Sequence, residues 1–285
     1  ARTDGRTDVP FVFRGHVPAT LGNCGPLEQA IDRGITPTET PTVWIGDAVS
    51  IEPPVSLTLP RRSGANVLIL GQSARSAAGL FEAMLLALAT QTAPSEDPSF
   101  YLLDGFGETR GRLAEFAGHL PHTVVDVDDV SLDATLGRML EELNRRLEAP
   151  RGPHAPRFMF IGGLQTWRTL RRREDDFSFS AETGPPKADA ILSTLLRDGP
   201  LVGLHVVTWT DTVNNLSRFL DRSSQSEFEN RILFQMSQMD SSQVIDSTAA
   251  GRLGAHRALL HREEHGSIQK FRPWATTEVA WLERQ

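Results

Sequence analysis

The chain has 285 residues, a hydrophobic content of 39%, a charged content of 23% and a formal net charge of −7 at pH 7. This balance is typical of a globular protein with a full α/β core, and it leaves no basic footprint, so any contact with nucleic acid must come from a local patch. The one cysteine, Cys24, excludes an internal disulfide, and no uninterrupted apolar run approaches the ~20 residues of a membrane helix.

Residues 1–60 are rich in proline and glycine and contain two short β-like runs, at 42–45 and 55–59. We expect an extended arm that ends in one or two strands beside the main sheet. The chain begins at Ala1 and has no signal-peptide pattern, so we expect a segment of a longer protein, with any membrane anchor outside it. The predicted division is an N-terminal arm at 1–60 and a domain at 61–285.

From residue 66 onward apolar runs alternate with helical patterns, which is typical of a mostly parallel sheet covered by helices on both faces. Strands are predicted at 67–70, 100–103, 122–125, 157–161, 204–209 and 230–235, helices at 77–90, 109–118, 133–148, 188–197, 213–222 and 241–247, and a closing hairpin at 258–271. Ligands of such folds bind beyond the carboxyl ends of the strands. That edge is predicted to carry residues 71–78, Asp104, Gly162 with Gly163, and Thr210 with Asp211.

Residues 66–89 read NVLILGQSARSAAGLFEAMLLALA, the order of strand, small-residue loop and helix in which a phosphate-binding G-x-x-x-x-G-K-[ST] loop occurs. Gly71 fits the first glycine, but Ser76, Ala77 and Ala78 occupy the places of the second glycine, the lysine and the hydroxyl. The predicted nucleotide-binding set is vestigial and consists of Gly71, Gln72, Ser73, Ala74, Arg75, Ser76, Ala77 and Ala78. No cofactor is expected, although helix N–H groups and Arg75 leave weak ATP or ADP binding open. A plain strand–loop–helix that never bound phosphate is the alternative.

Three further segments extend this pattern: FYLLDGFGETRGRLAEFAGHLPHTVVDVDD, ADAILSTLLRDGPLVGLHVVTWTD, and NRILFQMSQMDSSQVID followed by AAGRLGAHRALL. Together with the loop segment they resemble the FtsK/SpoIIIE/HerA group of P-loop motor ATPases over about residues 40–273. The resemblance implies a RecA-like α/β P-loop NTPase fold. It also implies a place in a larger motor, because such domains occur in DNA translocases and in EccC-like type VII secretion proteins, where some copies are degenerate.

The departures from this family bear on catalysis. The family's second motif is an apolar strand that ends in Asp-Glu, and here RFMFIGGLQ supplies the strand with Gly162 and Gly163 in the acidic positions. Asp211 or its neighbour replaces a glutamine, and Ser242 replaces the arginine of D-S-R. Phosphoryl transfer depends on positioning and on charge stabilisation by lysine, magnesium and arginine. The resemblance therefore implies hydrolysis close to background, with no catalytic residue and no metal site.

Asp104 also ends an apolar strand and could pass for the acid of that second motif. Its place directly after the P-loop helix fits the family's second strand better, so we expect Asp104, and Glu108 in the same loop, to be structural. The rival hypothesis is an active ATPase in which Asp104 holds the metal and Arg75 contacts the phosphates.

Three other patterns have competing readings. His261-Arg262-Glu263-Glu264-His265 matches the H-x-x-E-H zinc-peptidase pattern, but that chemistry needs a helix and Gly266 with a β-like run predicts a hairpin turn. Residues 171–176, three arginines and three acids, predict a solvated loop, with a pore loop that contacts DNA as the alternative. Arg218, Arg222 and Arg231 are candidates for action on a neighbouring subunit, with surface ion pairs as the alternative.

The functional hypothesis is a non-hydrolysing structural or regulatory domain of a larger, DNA-translocating motor in the cytoplasm. The expected partners are neighbouring ATPase domains or subunits of the same motor, with DNA reached through the assembly. An exported polypeptide is the alternative cargo. A module that binds a partner or substrate peptide at the edge formed by residues 71–78 is a further alternative.

Overall fold

The computed structural model describes residues 17–172 and 186–278. Within these ranges a ten-stranded mixed sheet carries eight α-helices. The strands are β1 (Thr42–Ala48), β2 (Val55–Thr58), β3 (Val67–Leu70), β4 (Phe100–Asp104), β5 (Val124–Asp126), β6 (Arg157–Gly162), β7 (Leu204–Thr210), β8 (Asn230–Leu233), β9 (Ala258–Arg262) and β10 (Ser267–Pro273). The helices are α1 (Gly25–Asp32), α2 (Ala74–Ala89), α3 (Arg112–Ala117), α4 (Leu132–Leu147), α5 (Ala188–Asp198), α6 (Val213–Phe219), α7 (Arg222–Ser226) and α8 (Gln238–Ile245).

The strand order is β2-β1-β10-β9-β8-β3-β7-β6-β4-β5. All neighbours from β8 to β5 are parallel, and β9, β10, β1 and β2 extend the sheet in antiparallel fashion. The predicted α/β class, a mostly parallel sheet with helices on both faces, is confirmed.

The side chains of β3 show how the two faces are filled. Val67 and Ile69 join the apolar cluster that contains α2 and α3, whereas Leu68 and Leu70 join the cluster that contains α4, α5 and α6. A strand covered on both faces is apolar at every position, as β3 is. Helix α2 is enclosed in the same way, because 13 of its 16 residues are buried.

The carboxyl ends of four parallel strands meet at one edge of the sheet, as the sequence predicted. Leu70 lies beside Thr210 in the register, and Asp104 lies beside Gly162. Two hydrogen bonds continue the ladder past the strand ends: the Gly71 N–H donates to the Thr210 carbonyl at 3.1 Å, and the Gly105 N–H donates to the Gly162 carbonyl at 2.9 Å. This edge holds the candidate site.

Three predicted helix boundaries were wrong, two of them because capping residues were overlooked. The helix predicted at 213–222 is two helices, and α7 starts anew because the Asp221 carboxylate accepts a hydrogen bond from the Ser224 N–H at 2.7 Å. The helix predicted at 241–247 begins at Gln238, because the Ser237 hydroxyl accepts from the Asp240 N–H at 3.0 Å. The helix predicted from residue 109 begins at Arg112, after a single 3-10 turn.

The segment predicted as an arm supplies β1 and β2, and β1 pairs with β10 in the main sheet. It also contains α1, which the sequence prediction missed and whose Leu27 lies in the apolar cluster with α2. The domain boundary at residue 60 stays a prediction. No helix in the described part of the chain is both long and apolar enough to cross a bilayer.

Candidate functional site

The loop after β3 is shorter than a phosphate cradle. The strand ends at Leu70 and α2 begins at Ala74, so only residues 71–73 connect them. The sequence prediction, which started the helix at Ala77, was therefore wrong by about one turn. Gly71 has a φ of +129°, and a Cβ there would lie 2.8 Å from the Cβ of Phe234, so the turn needs glycine.

The residues in the places of the lysine and the hydroxyl lie inside the fold. Ala77 and Ala78 are 0% and 4% exposed and pack in the apolar cluster beneath α2. In the first turn of α2 the Ser73 hydroxyl donates to the Ser76 hydroxyl at 2.8 Å. Arg75 is exposed on the same turn. The turn therefore presents small polar groups and one exposed cation, and its alanines point into the core.

After β6, Gly162 and Gly163 occupy the two positions at which the family has acids, and both are tightly surrounded. A Cβ on Gly162 would lie 2.5 Å from the ring of Phe106, and a Cβ on Gly163 would lie 2.3 Å from the Gly105 carbonyl oxygen. Gly163 also has a φ of +64°. The Phe106 ring is itself fixed, since it stacks on Trp209 with centroids 5.1 Å apart. An acidic side chain at either glycine would have to displace this packing.

Asp104 is buried, and its carboxylate closes the turn that follows β4. One oxygen accepts from the Phe106 N–H at 3.2 Å, and the other accepts from the Gly111 N–H at 2.7 Å. Burial, and then the Asp104 charge, raise the pKa of Asp126 at the end of β5. Glu108 is exposed in the turn between these partners. Both oxygens of Asp104 are thus engaged with the main chain.

Comparison with known proteins was made for the whole chain. No protein-family model and no curated protein matches it. The solved structure of the pCW3 conjugation coupling protein TcpA with ATPγS is 14% identical, with a TM-score of 0.61 over 87% of this chain and 70% of that chain. The cytoplasmic domain of the Thermomonospora curvata type VII secretion ATPase EccC is 17% identical, with a TM-score of 0.57 over 82% of this chain and 28% of that one.

A second Thermomonospora curvata EccC structure, of ATPases 2 and 3 with a signal sequence peptide, is 18% identical with a TM-score of 0.57 over 86% of this chain and 45% of that one. At these identities the likeness establishes the fold. This chain has the fold of an FtsK-like motor ATPase domain. It spans less than half of the two EccC chains.

A cavity of about 240 Å³ opens beside the first turn of α2. Its walls are residues Gln72, Ser73 and Ser76 on one side and Phe234, Gln235 and residues 254–257 on the other. The Gln235 side chain accepts from the Gly254 N–H at 2.7 Å and so ties the two outer walls together. Residues 254–257 belong to a segment that carries the family resemblance, but the sequence did not predict that they line the site.

Asp211, the second predicted strand-end acid, directly precedes Thr212, the residue that caps the start of α6. Its carboxylate accepts from the Asn215 amide at 2.7 Å and from the Thr212 hydroxyl at 3.2 Å. The neighbouring Thr210 hydroxyl donates to the Gln165 side chain at 3.1 Å. Gln165 follows β6 and so joins the strand ends β6 and β7 at this edge of the sheet, a contact that the sequence did not predict.

The three arginines proposed to act on a neighbouring subunit have different surroundings. Arg218 and Arg222 are exposed on α6 and α7. Arg231 is mostly buried, donates to the Val244 carbonyl at 2.8 Å and forms an ion pair with Glu263 at 2.7 Å. Arg222 and Arg231 also line a cavity of about 330 Å³ between α7 and α8. Arg231 is therefore held within this chain, and the two exposed arginines are the ones available to a neighbour.

The remaining patterns fall outside the site. His261 lies in β9 and His265 in the turn before β10, so the predicted hairpin is confirmed, and the described residues contain no cluster that could hold a metal ion. Cys24 is buried, and burial raises the pKa of its thiol to about 11, which keeps it protonated at neutral pH. Of the charged run at 171–176, Arg171 and Arg172 are exposed, and residues 173–176 lie outside the described residues.

Proposed function

We propose that this chain is a non-hydrolysing structural or regulatory FtsK-like domain of a larger motor protein. The observation that carries the proposal is the early start of α2 at Ala74. Because the connecting turn has only residues 71–73, there is little main chain to wrap around a triphosphate, and the alanines that replace lysine and hydroxyl are buried.

The packing after β6 supports the same proposal independently. Magnesium-dependent phosphoryl transfer needs acidic ligands near the phosphates. Here the corresponding glycines are in contact with Phe106 and with the backbone at Gly105. Loss of preorganised groups typically costs about 10²–10³ in rate for each donor, so the combined loss leaves hydrolysis near background.

The rival hypothesis of an active ATPase requires Asp104 to hold the metal. Its two oxygens accept hydrogen bonds from the Phe106 and Gly111 N–H groups, and it is 5% exposed. A metal there would have to compete with both donors. Arg75, the proposed phosphate cation, remains exposed near the turn, so weak ATP or ADP binding stays an alternative.

The proposed partners are neighbouring ATPase domains or subunits of one motor, and the proposed location is cytoplasmic, with any membrane association through regions outside this segment. The proposed cargo is DNA, moved by the assembled motor, although the net charge of −7 disfavours autonomous DNA binding by this chain. The alternative cargo is an exported polypeptide, and one structural neighbour was solved with a signal sequence peptide. The walls of the cavity beside α2 are polar and apolar in similar measure, so its lining favours neither cargo.

The test is magnesium-dependent ATP turnover by the purified chain, with Arg75→Ala, Asp104→Ala and the milder Asp104→Asn as variants. We expect all four proteins to hydrolyse ATP no faster than ATP hydrolyses in buffer without protein. Turnover by the parent chain that is lost in the Arg75 variant or in both folded Asp104 variants would overturn the proposal.

A further inference from the structure

The segment that follows β10 crosses the outer face of α2. Trp274 anchors its start, since it is fully buried, its indole N–H donates to the Trp44 carbonyl at 3.0 Å and its main-chain N–H donates to the Ile45 carbonyl at 3.3 Å. The next N–H, that of Ala275, donates to the Ala19 carbonyl at 2.8 Å. Trp274 is thus fixed to the sheet, and it is followed by a single main-chain hydrogen bond at Ala275.

Residues 274–276 then lie directly on the backbone of α2 at Gly79. A Cβ on Gly79 would be 2.4 Å from the Trp274 carbonyl oxygen, 2.7 Å from the Ala275 carbonyl carbon and 2.8 Å from the Thr276 nitrogen. Such an approach is open only to glycine. The contact is therefore main chain against main chain, and a movement of either partner is transmitted to the other.

One turn further along α2, Glu82 and Arg112 hold the peptide groups of Thr277. Glu82, which is 1% exposed, accepts from the Thr277 N–H at 2.6 Å and from the Arg112 side chain at 2.7 Å. Arg112 also donates to the Thr277 carbonyl. Burial raises the pKa of Glu82, and these hydrogen bonds oppose that shift. The Thr277 hydroxyl is buried without a hydrogen-bond partner among the described residues, so the pair recognises the main chain.

After Trp274, this segment is held by hydrogen bonds and not by large apolar side chains. Ala275 and Thr276 are half-buried, Glu278 is exposed, and none of them adds a large apolar side chain to the core. Segments with few buried apolar contacts open at a lower free energy than the core around them. Residues 275–278 are accordingly restrained by one main-chain hydrogen bond at Ala275 and by a charge-assisted pair at Thr277, whose arginine is 32% exposed.

We propose that residues 275–278 form a latch, fastened by Glu82 and Arg112, that opens independently of the rest of the domain. Because the latch lies on α2 five residues after its first residue, Ala74, the position of residues 275–278 is coupled to the turn that forms the candidate site. This coupling does not depend on whether the domain hydrolyses ATP, and it is read out without turnover.

The experiment is hydrogen–deuterium exchange of the full 285-residue chain with peptide resolution. Glu82→Gln removes the charge and keeps an acceptor, whereas Gly79→Ala pushes the segment away sterically. Each variant is expected to speed exchange at residues 275–278 by about tenfold or more, the loss of one charge-assisted hydrogen bond. Exchange at residues 71–78 is expected to rise with it, while β3 and β7 change by less than about twofold.

Two matched variants serve as controls. Glu115→Gln changes an exposed charge on α3, and Gly137→Ala adds a Cβ on α4 where nothing lies within 4 Å. Neither is expected to alter exchange at residues 275–278. Equal acceleration of every segment would show that residues 275–278 open only with the whole domain and would overturn the latch. Unchanged exchange at 71–78 despite an open segment would overturn the coupling.

Discussion

At the scale of single residues, glycines decide what the end of β6 can carry. Gly105, Gly162 and Gly163 bring two loops into backbone contact, and the Phe106 ring covers Gly162. A motor ATPase with acids at these positions needs space for two side chains. Here the Phe106 ring and the Gly105 backbone fill that space, so the packed loops leave no room for acidic side chains at Gly162 and Gly163.

The first prediction compares Gly163→Ala with Gly107→Ala. The two glycines have φ values of +64° and +65°, but a Cβ on Gly163 meets the Gly105 carbonyl at 2.3 Å and one on Gly107 meets nothing within 4 Å. Both variants incur backbone strain, so their difference isolates the clash. Denaturant unfolding is expected to show Gly163→Ala less stable than Gly107→Ala by about 1–3 kcal/mol. Equal stabilities would contradict the tight packing described here.

His205 is a second residue whose environment has a measurable consequence. Its ring is fully enclosed in β7, where Nδ1 lies 2.7 Å from the Ala65 carbonyl and Nε2 has no partner among the described residues. Burial lowers the pKa of His205 from 6.5 to about 4. The folded protein therefore keeps this ring neutral at a pH where the unfolded chain would protonate it.

The second prediction follows from that difference. Between pH 6.5 and about 4 the unfolded state binds a proton at His205 that the folded state does not, so stability present above pH 6.5 is lost as the pH falls. This side chain contributes a slope of up to about 1.4 kcal/mol per pH unit. His205→Asn keeps a donor near the Ala65 carbonyl and should flatten the pH profile of unfolding. The exposed His119→Asn serves as the control, and a profile that is equally steep in both variants would refute the assignment.

At the scale of elements, the start of α2 shows how a loop is shortened. Ser76 lacks the backbone freedom of the glycine expected there, and Ala74, Arg75 and Ser76 all tolerate helical geometry. The helix therefore extends backward to Ala74, and the Ser73 and Ser76 hydroxyls bond to each other within the first turn. The sequence alone showed that Ser76 stands in the place of the second glycine, but it did not show that the helix would therefore begin at Ala74.

The third prediction concerns the turn between β4 and α3, which depends on Asp104. Asp104→Ala leaves the buried Phe106 N–H and the partly buried Gly111 N–H without their acceptor, so unfolding should become easier by about 2–4 kcal/mol. Asp211→Ala is the matched change at the end of β7, where the carboxylate is half-exposed, and should cost less than about 1 kcal/mol. Chemical denaturation measures both. A role for Asp104 in holding metal would instead predict little loss of stability without magnesium.

At the scale of the whole molecule, the sheet joins segments that are distant in the chain. β1 pairs with β10, so residues near 46 and near 273 become neighbours, and Val43, Ile45 and Leu57 lie in the same apolar cluster as α2. Strands β1 and β2 thus share one apolar core with the parallel part of the sheet. Such a core is expected to unfold cooperatively.

The fourth prediction tests that cooperativity with two isoleucines of the first 60 residues. Ile45 is 0% exposed in β1, whereas Ile51 is 103% exposed in the loop after it. Ile45→Ala should lower the stability of the whole domain by about 2–5 kcal/mol, and Ile51→Ala should change it by less than about 0.5 kcal/mol. The midpoint followed by tryptophan fluorescence and by circular dichroism should shift together. A shift in only one signal would favour a separate arm.

The order of strands and helices after residue 66 was predictable because fully apolar runs, spaced by helical patterns, require a covered parallel sheet. The edge that carries Gly71, Asp104, Gly162 and Thr210 followed from that order, since parallel strands end together. The starts of α2, α7 and α8 were not predictable to the residue. Their positions depend on capping residues such as Asp221 and Ser237. Such side chains can form several alternative hydrogen bonds with the nearby backbone, and the tertiary structure decides which one forms.

The sequence by itself determined which chemical groups are present at the strand ends, because alanine and glycine cannot supply a cation or a carboxylate in any fold. Only the tertiary structure decided that those positions are closed: Phe106 on Gly162, the Gly105 backbone on Gly163, and Ala77 in the core. The tertiary structure also places residues 254–257 against the first turn of α2 and brings the Thr277 N–H within hydrogen-bonding distance of Glu82. Contacts between residues this far apart in the chain depend on the packing of the whole sheet, which no local pattern encodes.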